Sequence, residues 1–405
     1  MSNHPKDTSL SDSVCGLAVG SAPRTIYLDN AATSFPKAPG VVEAVVDYLE
    51  TVGASAGRGG HSLARQADAL LWETRTLLAK LLGVSDPRRV IFALNVTQAL
   101  NMALMGLLEK GDHVVTTSME HNSVMRPLRY LERVREIKIS VVEGDRQGTV
   151  SPERVVDLIG PRTRLVVINH ASNVTGGVLP VEKVAEAKGE ALLLVDAAQS
   201  AGSLPIHMGA MGIDMLAFTG HKALLGPPGV GGICLAAHVD IPPLIHGGTG
   251  TSSESHDQPT ELPFGLEAGT HNMAGIAGLR AALMYLLKER VESIRTKELG
   301  LMERLLRGLS EIDGLILYGP QDPQSKVPVF SVNMDGMHPS HLATTLESCF
   351  GILVRDGLHC APSAHKTLGT FPNGTVRISL GPLQDQDTVE TVIEAFREIS
   401  HELKR

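Results

Sequence analysis

Lys222 stands in TGHKALLGPPGVGG, between an apolar strand-like run and a Gly/Pro-rich turn. A lone lysine there reads first as a surface residue at a strand end. Thr219 and His221 beside it can donate to an anion, however, and a lysine so placed can form a Schiff base. Asp196, in LLLVDAAQSAG, can cap a helix or hold a proton on a pyridine nitrogen. Thr97 opens a helical segment, where it is a cap or, with the amides of Val96 and Thr97, a phosphate cradle. His121 follows another strand as a packed histidine, or as a ring that stacks on a planar cofactor and shuttles protons. Each residue singly fits its structural reading. The set fits a site for pyridoxal phosphate.

Such a site needs strand ends that converge on one crevice, and the patterning supplies them. Strand-like runs at 89–93, 113–117, 137–142, 165–169, 192–195 and 215–218 alternate with helical spacing at 41–48, 67–82, 97–108, 126–135, 152–159 and 181–187. Continuously apolar strands imply burial on both faces, as in a parallel or mixed sheet between helix layers. Ligands of open α/β sheets bind beyond the carboxyl ends of the strands. Thr97, His121, Asn173, Asp196 with Gln199, and Lys222 each follow one of five such strands. From residue 275 the texture changes to a long helix at 275–307, broken near Ser293. Short strands follow at 330–334 and 376–380, then an amphipathic helix at 387–403. The expected organisation is a large α/β domain over 26–270 and a smaller α+β domain of 271–405 with 1–25, whose N-terminal tail is mobile.

The 405 residues are 43% hydrophobic and 20% charged, with 36 basic against 44 acidic side chains and a net charge of −8. This balance suits a soluble globular protein and argues against nucleic acid or an anionic membrane as partner. Cysteines stand at 15, 234, 349 and 360 without any C-x-x-C. The chain therefore reads as reduced and cytoplasmic, with no disulfide framework and no metal site. The first 25 residues lack the basic start and long apolar run of an export signal. The uncharged stretch 223–239 is broken by glycines and prolines into a turn and a strand. No G-x-x-x-x-G-K-[ST] occurs, and the glycines at 53–61 follow a helix rather than a strand.

The series YLDNAATS (27–34), SMEHNS (118–123), HASNVTG (170–176), VDAAQS (195–200), TGHK (219–222), EAGTHN (267–272), RDGLHCAP (355–362) and RISLG (377–381) resembles the class V aminotransferase superfamily. Within it the series is similar to cysteine desulfurases and selenocysteine lyases, over about residues 25–400. The resemblance implies pyridoxal phosphate fold type I, aspartate-aminotransferase-like, with a mainly parallel seven-stranded sheet between helices plus a smaller α+β domain. It also implies a homodimer with the site at the subunit interface.

Residue by residue, the resemblance makes Lys222 the Schiff-base lysine, Asp196 the partner of the pyridine nitrogen and Gln199 the donor to the phenolic oxygen. His121 becomes the stacking acid/base. Val96, Thr97, Thr219 and His221 become phosphate-site residues, with Thr270 reaching the phosphate of the other subunit. Asn173 and Arg377 match the clamp on the substrate carboxylate, with Arg355 nearby. Cys360 matches the sulfur-accepting nucleophile. Its own surroundings agree: Arg355 and His359 are two candidate cations in a turn-rich loop, a setting that exposes a thiolate. Cys234 and Cys349 fit packed small hydrophobes, and Cys15 lies in the tail. The implied reaction turns L-cysteine into L-alanine and leaves sulfur on Cys360 for an acceptor protein. The same residues serve a selenocysteine lyase, and a transaminase, a β-lyase or an inactive scaffold are the remaining readings. The short R-x-G-x-H-C loop is similar to that of the SufS-like group. DNAATS and HGGTGTSSES (246–255) depart from that group's commonest pattern, and Leu94 and Val96 stand where some relatives have polar residues.

Overall fold

The computed structural model describes residues 25–57, 59–251 and 254–405. Expectations for the N-terminal tail, Cys15 included, fall outside that range. After β1 (Ile26–Tyr27), α1 (Val41–Asp47) and α2 (Ser62–Leu82), strands and helices alternate. They are β2 (Val90–Ala93), α3 (Val96–Leu107), β3 (His113–Thr117), α4 (Asn122–Val134), β4 (Lys138–Val142), α5 (Pro152–Asp157), β5 (Thr163–Asn169) and α6 (Val181–Ala187). β6 (Leu192–Asp196), β7 (Met215–Thr219) and β8 (Gly231–Leu235) complete a seven-stranded sheet in the order β2-β8-β7-β6-β5-β3-β4. Only β8 runs antiparallel to its neighbours. The apolar runs LLLV and MLAF form β6 and β7, and every residue of β7 and β8 is buried. Helices therefore cover both faces, as the unbroken apolar pattern requires. The strand order reverses between β3 and β5, which opens the crevice at their carboxyl ends.

The long helix expected over 275–307, where the texture changes, is two helices. α7 (Met273–Glu289) packs on α1 and α2, and its Ile276, Leu279, Leu283 and Leu286 share the core under the large sheet. The helical break falls at Arg290 rather than Ser293, because Arg290 takes a left-handed φ of 66° between α7 and α8 (Val291–Ser310). Beyond it come β9 (Leu315–Tyr318), β10 (Val329–Met334), α9 (Pro339–Phe350), β11 (Ile352–Leu353), β12 (Arg355–Gly357), α10 (Pro362–Leu368), β13 (Thr375–Ser379) and α11 (Gln386–Leu403). β12-β13-β10-β9 form an antiparallel sheet over a separate core that includes Phe330, Leu342, Ile378 and Phe396. β1 pairs in parallel with β11, so the first described residues join this second unit. The register sets Arg355 directly opposite Arg377. That pairing aims two guanidinium groups from one small sheet toward the large one.

Candidate active site

Ten of the thirteen expected site residues line one cavity of about 310 Å³: Val96, Thr97, His121, Asn173, Asp196, Gln199, His221, Lys222, Arg355 and Arg377. Asp196 ends β6, and its register partner Asn169 ends β5. His121 caps α4 just after β3, and Thr97 lies in the first turn of α3 after β2. Lys222 follows β7 on a loop that presses against Gly202. That glycine has a φ of 97°, and a Cβ there would lie 2.3 Å from the carbonyl oxygen of Ala223. Only glycine lets the lysine's loop come so close.

Burial dominates the electrostatics. It pulls the Lys222 amine down to about 8, with Asp196 opposing and Arg377 and Arg355 assisting. Burial raises the Asp196 carboxyl, against the pull of the Ala198 N–H, which donates to Oδ1 at 2.9 Å, and of Lys222. His121 is pulled down to about 4 by burial, then by Lys222 and Arg355, so its ring is neutral at physiological pH. Its Nδ1 accepts the Ser123 N–H at 3.0 Å, which places the ring proton on Nε2. The Ser123 hydroxyl lies 2.9 Å from the same nitrogen and 2.7 Å from Thr97 Oγ1. Ser123 thus ties the helix start at Thr97 to the imidazole, a role its place in SMEHNS does not announce.

Arg377 is buried, donating through Nη1 to Asn173 O at 3.1 Å and through Nη2 to Asp29 Oδ1 at 2.5 Å. Asp29 was also missed in the sequence; its signal is the charge inside the otherwise neutral YLDNAATS. Cys360 is exposed at the cavity's edge, with Arg355 Nη2 3.8 Å from Sγ. The Asn122 N–H, next to His121, donates to Cys360 O at 2.8 Å. His359 is not the second cation expected beside Cys360: burial first, then Arg377, pulls it down to about 2. Cys234 is a fully buried free thiol, as expected of a packing residue, whereas Cys349 is buried but is not a free thiol. Thr270 lines a different cavity, of about 210 Å³, with Glu267 and His271.

The family model for aminotransferase class-V matches residues 26–392. The chain belongs to that family. Its relatives include a probable cysteine desulfurase of Methanothermobacter thermautotrophicus, 36% identical over 93% of this chain and 94% of that one. A solved apo cysteine desulfurase of Thermococcus onnurineus is 33% identical and superposes with a TM-score of 0.87 over 93% of this chain and 95% of that one. The Escherichia coli cysteine desulfurase CsdA is 27% identical, with a TM-score of 0.83 over 93% and 94%. Members of this family use pyridoxal 5'-phosphate, and the cavity fits it. Thr219 Oγ1 is buried beside the cavity without a partner among the described residues, as a phosphate ligand awaiting its acceptor would be. Asn95 caps the Gln98 amide, which leaves the Val96 and Thr97 amides at the α3 N-terminus open to an anion. Arg377 Nε is likewise buried and unpaired, and suits a carboxylate. Among the described residues no helix is long and apolar enough to cross a membrane.

Proposed function

We propose that the chain is a cysteine desulfurase that converts L-cysteine to L-alanine and takes the sulfur as a persulfide on Cys360. The observation that carries this reading is the gathering of Lys222, Asp196, His121 and Arg377 on one cavity whose lining Arg355 reaches the exposed Cys360 sulfur. Relatives at 30–36% identity over most of the chain bear the name cysteine desulfurase. Pyridoxal phosphate, when bound, supplies an electron sink for charge developing at the substrate α-carbon. Arg377 receives the substrate carboxylate with its unpaired Nε as a donor, while Asn173 and Asp29 fix the guanidinium. Lys222, an amine that burial pulls down to about 8, takes the α-proton in its unprotonated form. Asp196 holds the proton of the ring nitrogen. Cys360 Sγ then forms an S–S bond with the substrate sulfur as the C–S bond breaks. The electron pair of that bond stays with the β-carbon, and a proton delivered there completes the alanine methyl. His121, with its proton on Nε2, is the neutral group placed to exchange protons during these steps. One thiol and one L-cysteine become one persulfide and one L-alanine, with no outside oxidant.

The working unit in this reading is a homodimer, in which Thr270 completes the phosphate site of the partner. Thr270 is exposed and lines a cavity apart from Lys222 of its own chain, beside the exposed apolar Leu94, Leu244 and Ile245. The persulfide passes its sulfur to an acceptor protein. Product analysis with Cys360→Ala tests the reaction. Sulfide release should be lost while the visible absorbance of the bound cofactor persists and the wild-type product is alanine. Pyruvate as the wild-type product, or undiminished sulfide release from the variant, would overturn the reading.

A further inference from the structure

Cys360 is held in a backbone conformation that its side chain does not favour. His359 (φ 48°) and Cys360 (φ 58°) are both left-handed, a region uncommon for residues other than glycine. Backbone contacts hold part of this turn: the Ala361 N–H donates to Leu358 O at 2.8 Å, and Asn173 Nδ2 donates to His359 O at 2.7 Å. The rest is a chain of side chains. His359 Nε2 lies 3.2 Å from Arg355 O, and a carbonyl only accepts, so Nε2 carries the proton. The bare Nδ1 of His359 then faces His365 Nε2 at 3.3 Å, which must donate. His365 Nδ1 in turn accepts the Thr370 hydroxyl at 2.8 Å. One backbone carbonyl thus fixes the tautomers of two histidines. Both rings are buried, and burial pulls His359 down to about 2 and His365 to about 4, so the chain stays neutral at physiological pH.

We propose that His365 is a positioning residue for Cys360: the Thr370–His365–His359–Arg355 chain clamps the left-handed turn and sets Sγ against the Arg355 guanidinium. Arg355 is the element shared by the two ends, since its carbonyl closes the chain and its Nη2 faces the sulfur. His365 makes no contact with the cavity, so it acts only through His359 and the turn. This rests on Cys360 being the sulfur-accepting nucleophile.

The test uses the holoenzyme with two readouts: turnover of L-cysteine, and the rate at which iodoacetamide alkylates Cys360 without substrate, followed by mass spectrometry. His365→Phe keeps a ring of similar size and loses both hydrogen bonds. It should lower kcat about tenfold with KM within about twofold, and slow alkylation about fivefold. His365→Gln keeps a donor and an acceptor and should recover most of both. Thr370→Val should give a smaller loss of the same sign, and carries the test if the phenylalanine variant folds poorly. Unchanged alkylation in His365→Phe and Thr370→Val would overturn the proposal, as would equal losses in the Phe and Gln variants. Alkylation needs no turnover, so failure of the clamp is distinguishable from failure of the nucleophile, which shows only in sulfide release by Cys360→Ala.

Discussion

Lys222 is the residue whose environment sets when the site can work. An exposed lysine keeps its proton until about pH 10.5, whereas burial pulls this amine down to about 8. The unprotonated amine is the form that forms a Schiff base. Uptake of pyridoxal phosphate by the cofactor-free protein should therefore speed up with rising pH and level off above a midpoint near 8. Stopped-flow absorbance across pH 6–11 (about 6 to 11, the span that brackets both values) reads this directly. A midpoint close to 10.5 would show that the amine is solvated. His121 is shifted the same way but further from the working range: burial and the surrounding cations keep its ring neutral, so it should contribute no inflection above pH 5 (about one unit above its own titration). Thr97, His121, Asp196 and Lys222 were legible in the sequence because each lies within a few residues of the end of an apolar strand. Ser123, Asp29 and His365 were not, because they act on other side chains rather than on a ligand. A serine two residues past a histidine, or a histidine five residues past a cysteine, becomes informative only once a turn folds them together.

At the level of elements, the loop that carries Thr270 is anchored by a buried ion pair. Glu267 accepts from Arg75 through both oxygens, at 2.7 and 2.8 Å, and also from the Phe92 N–H at 2.6 Å. His271 adds a contact at 2.8 Å. These bonds join α2, β2 and the 267–272 loop. Burial pushes the Glu267 carboxyl upward, but Arg75 and His271 outweigh it and hold it below the ordinary range. Removing one partner leaves the other charge buried and unpaired. Glu267→Ala should thus cost about 3–5 kcal/mol of stability, read as a fall in the denaturant midpoint. A loss under about 1 kcal/mol would mean that water reaches Arg75. The alternation of strands and helices through 89–218 was legible because the strands are buried on both faces and read as unbroken apolar runs. β12 was not. Arg355-Asp356-Gly357 has no strand pattern, and only its pairing with β13 puts Arg355 beside Arg377. The kink at Arg290 was misplaced for a similar reason, since a left-handed arginine leaves no mark in the apolar spacing.

Across the whole molecule, the second unit is joined to the large sheet through buried polar contacts as well as apolar ones. Glu298 of α8 is buried, and the Ser203 hydroxyl, in the loop after β6, donates to it at 3.1 Å. Burial raises its carboxyl from 4.5 to about 7. Between those values the folded state keeps a proton that the unfolded chain has lost. Stability from this group is therefore full below pH 4.5 and disappears as pH rises through about 7. Glu120, raised to about 8 by burial, acts in the same direction. Glu298→Gln keeps an acceptor for Ser203 without the charge. Its Tm should exceed wild type by about 2 °C at the alkaline end and match it at the acid end. A variant whose Tm runs parallel to wild type at every pH would show that Glu298 is ionised and solvated. The central claim is that Cys360 takes sulfur from L-cysteine within this assembled site. Mass spectrometry of the Cys360 peptide after brief exposure of the holoenzyme to L-cysteine tests it most directly. The account predicts one added sulfur on Cys360, with alanine formed in equal amount. An unmodified Cys360 beside accumulating alanine would contradict it.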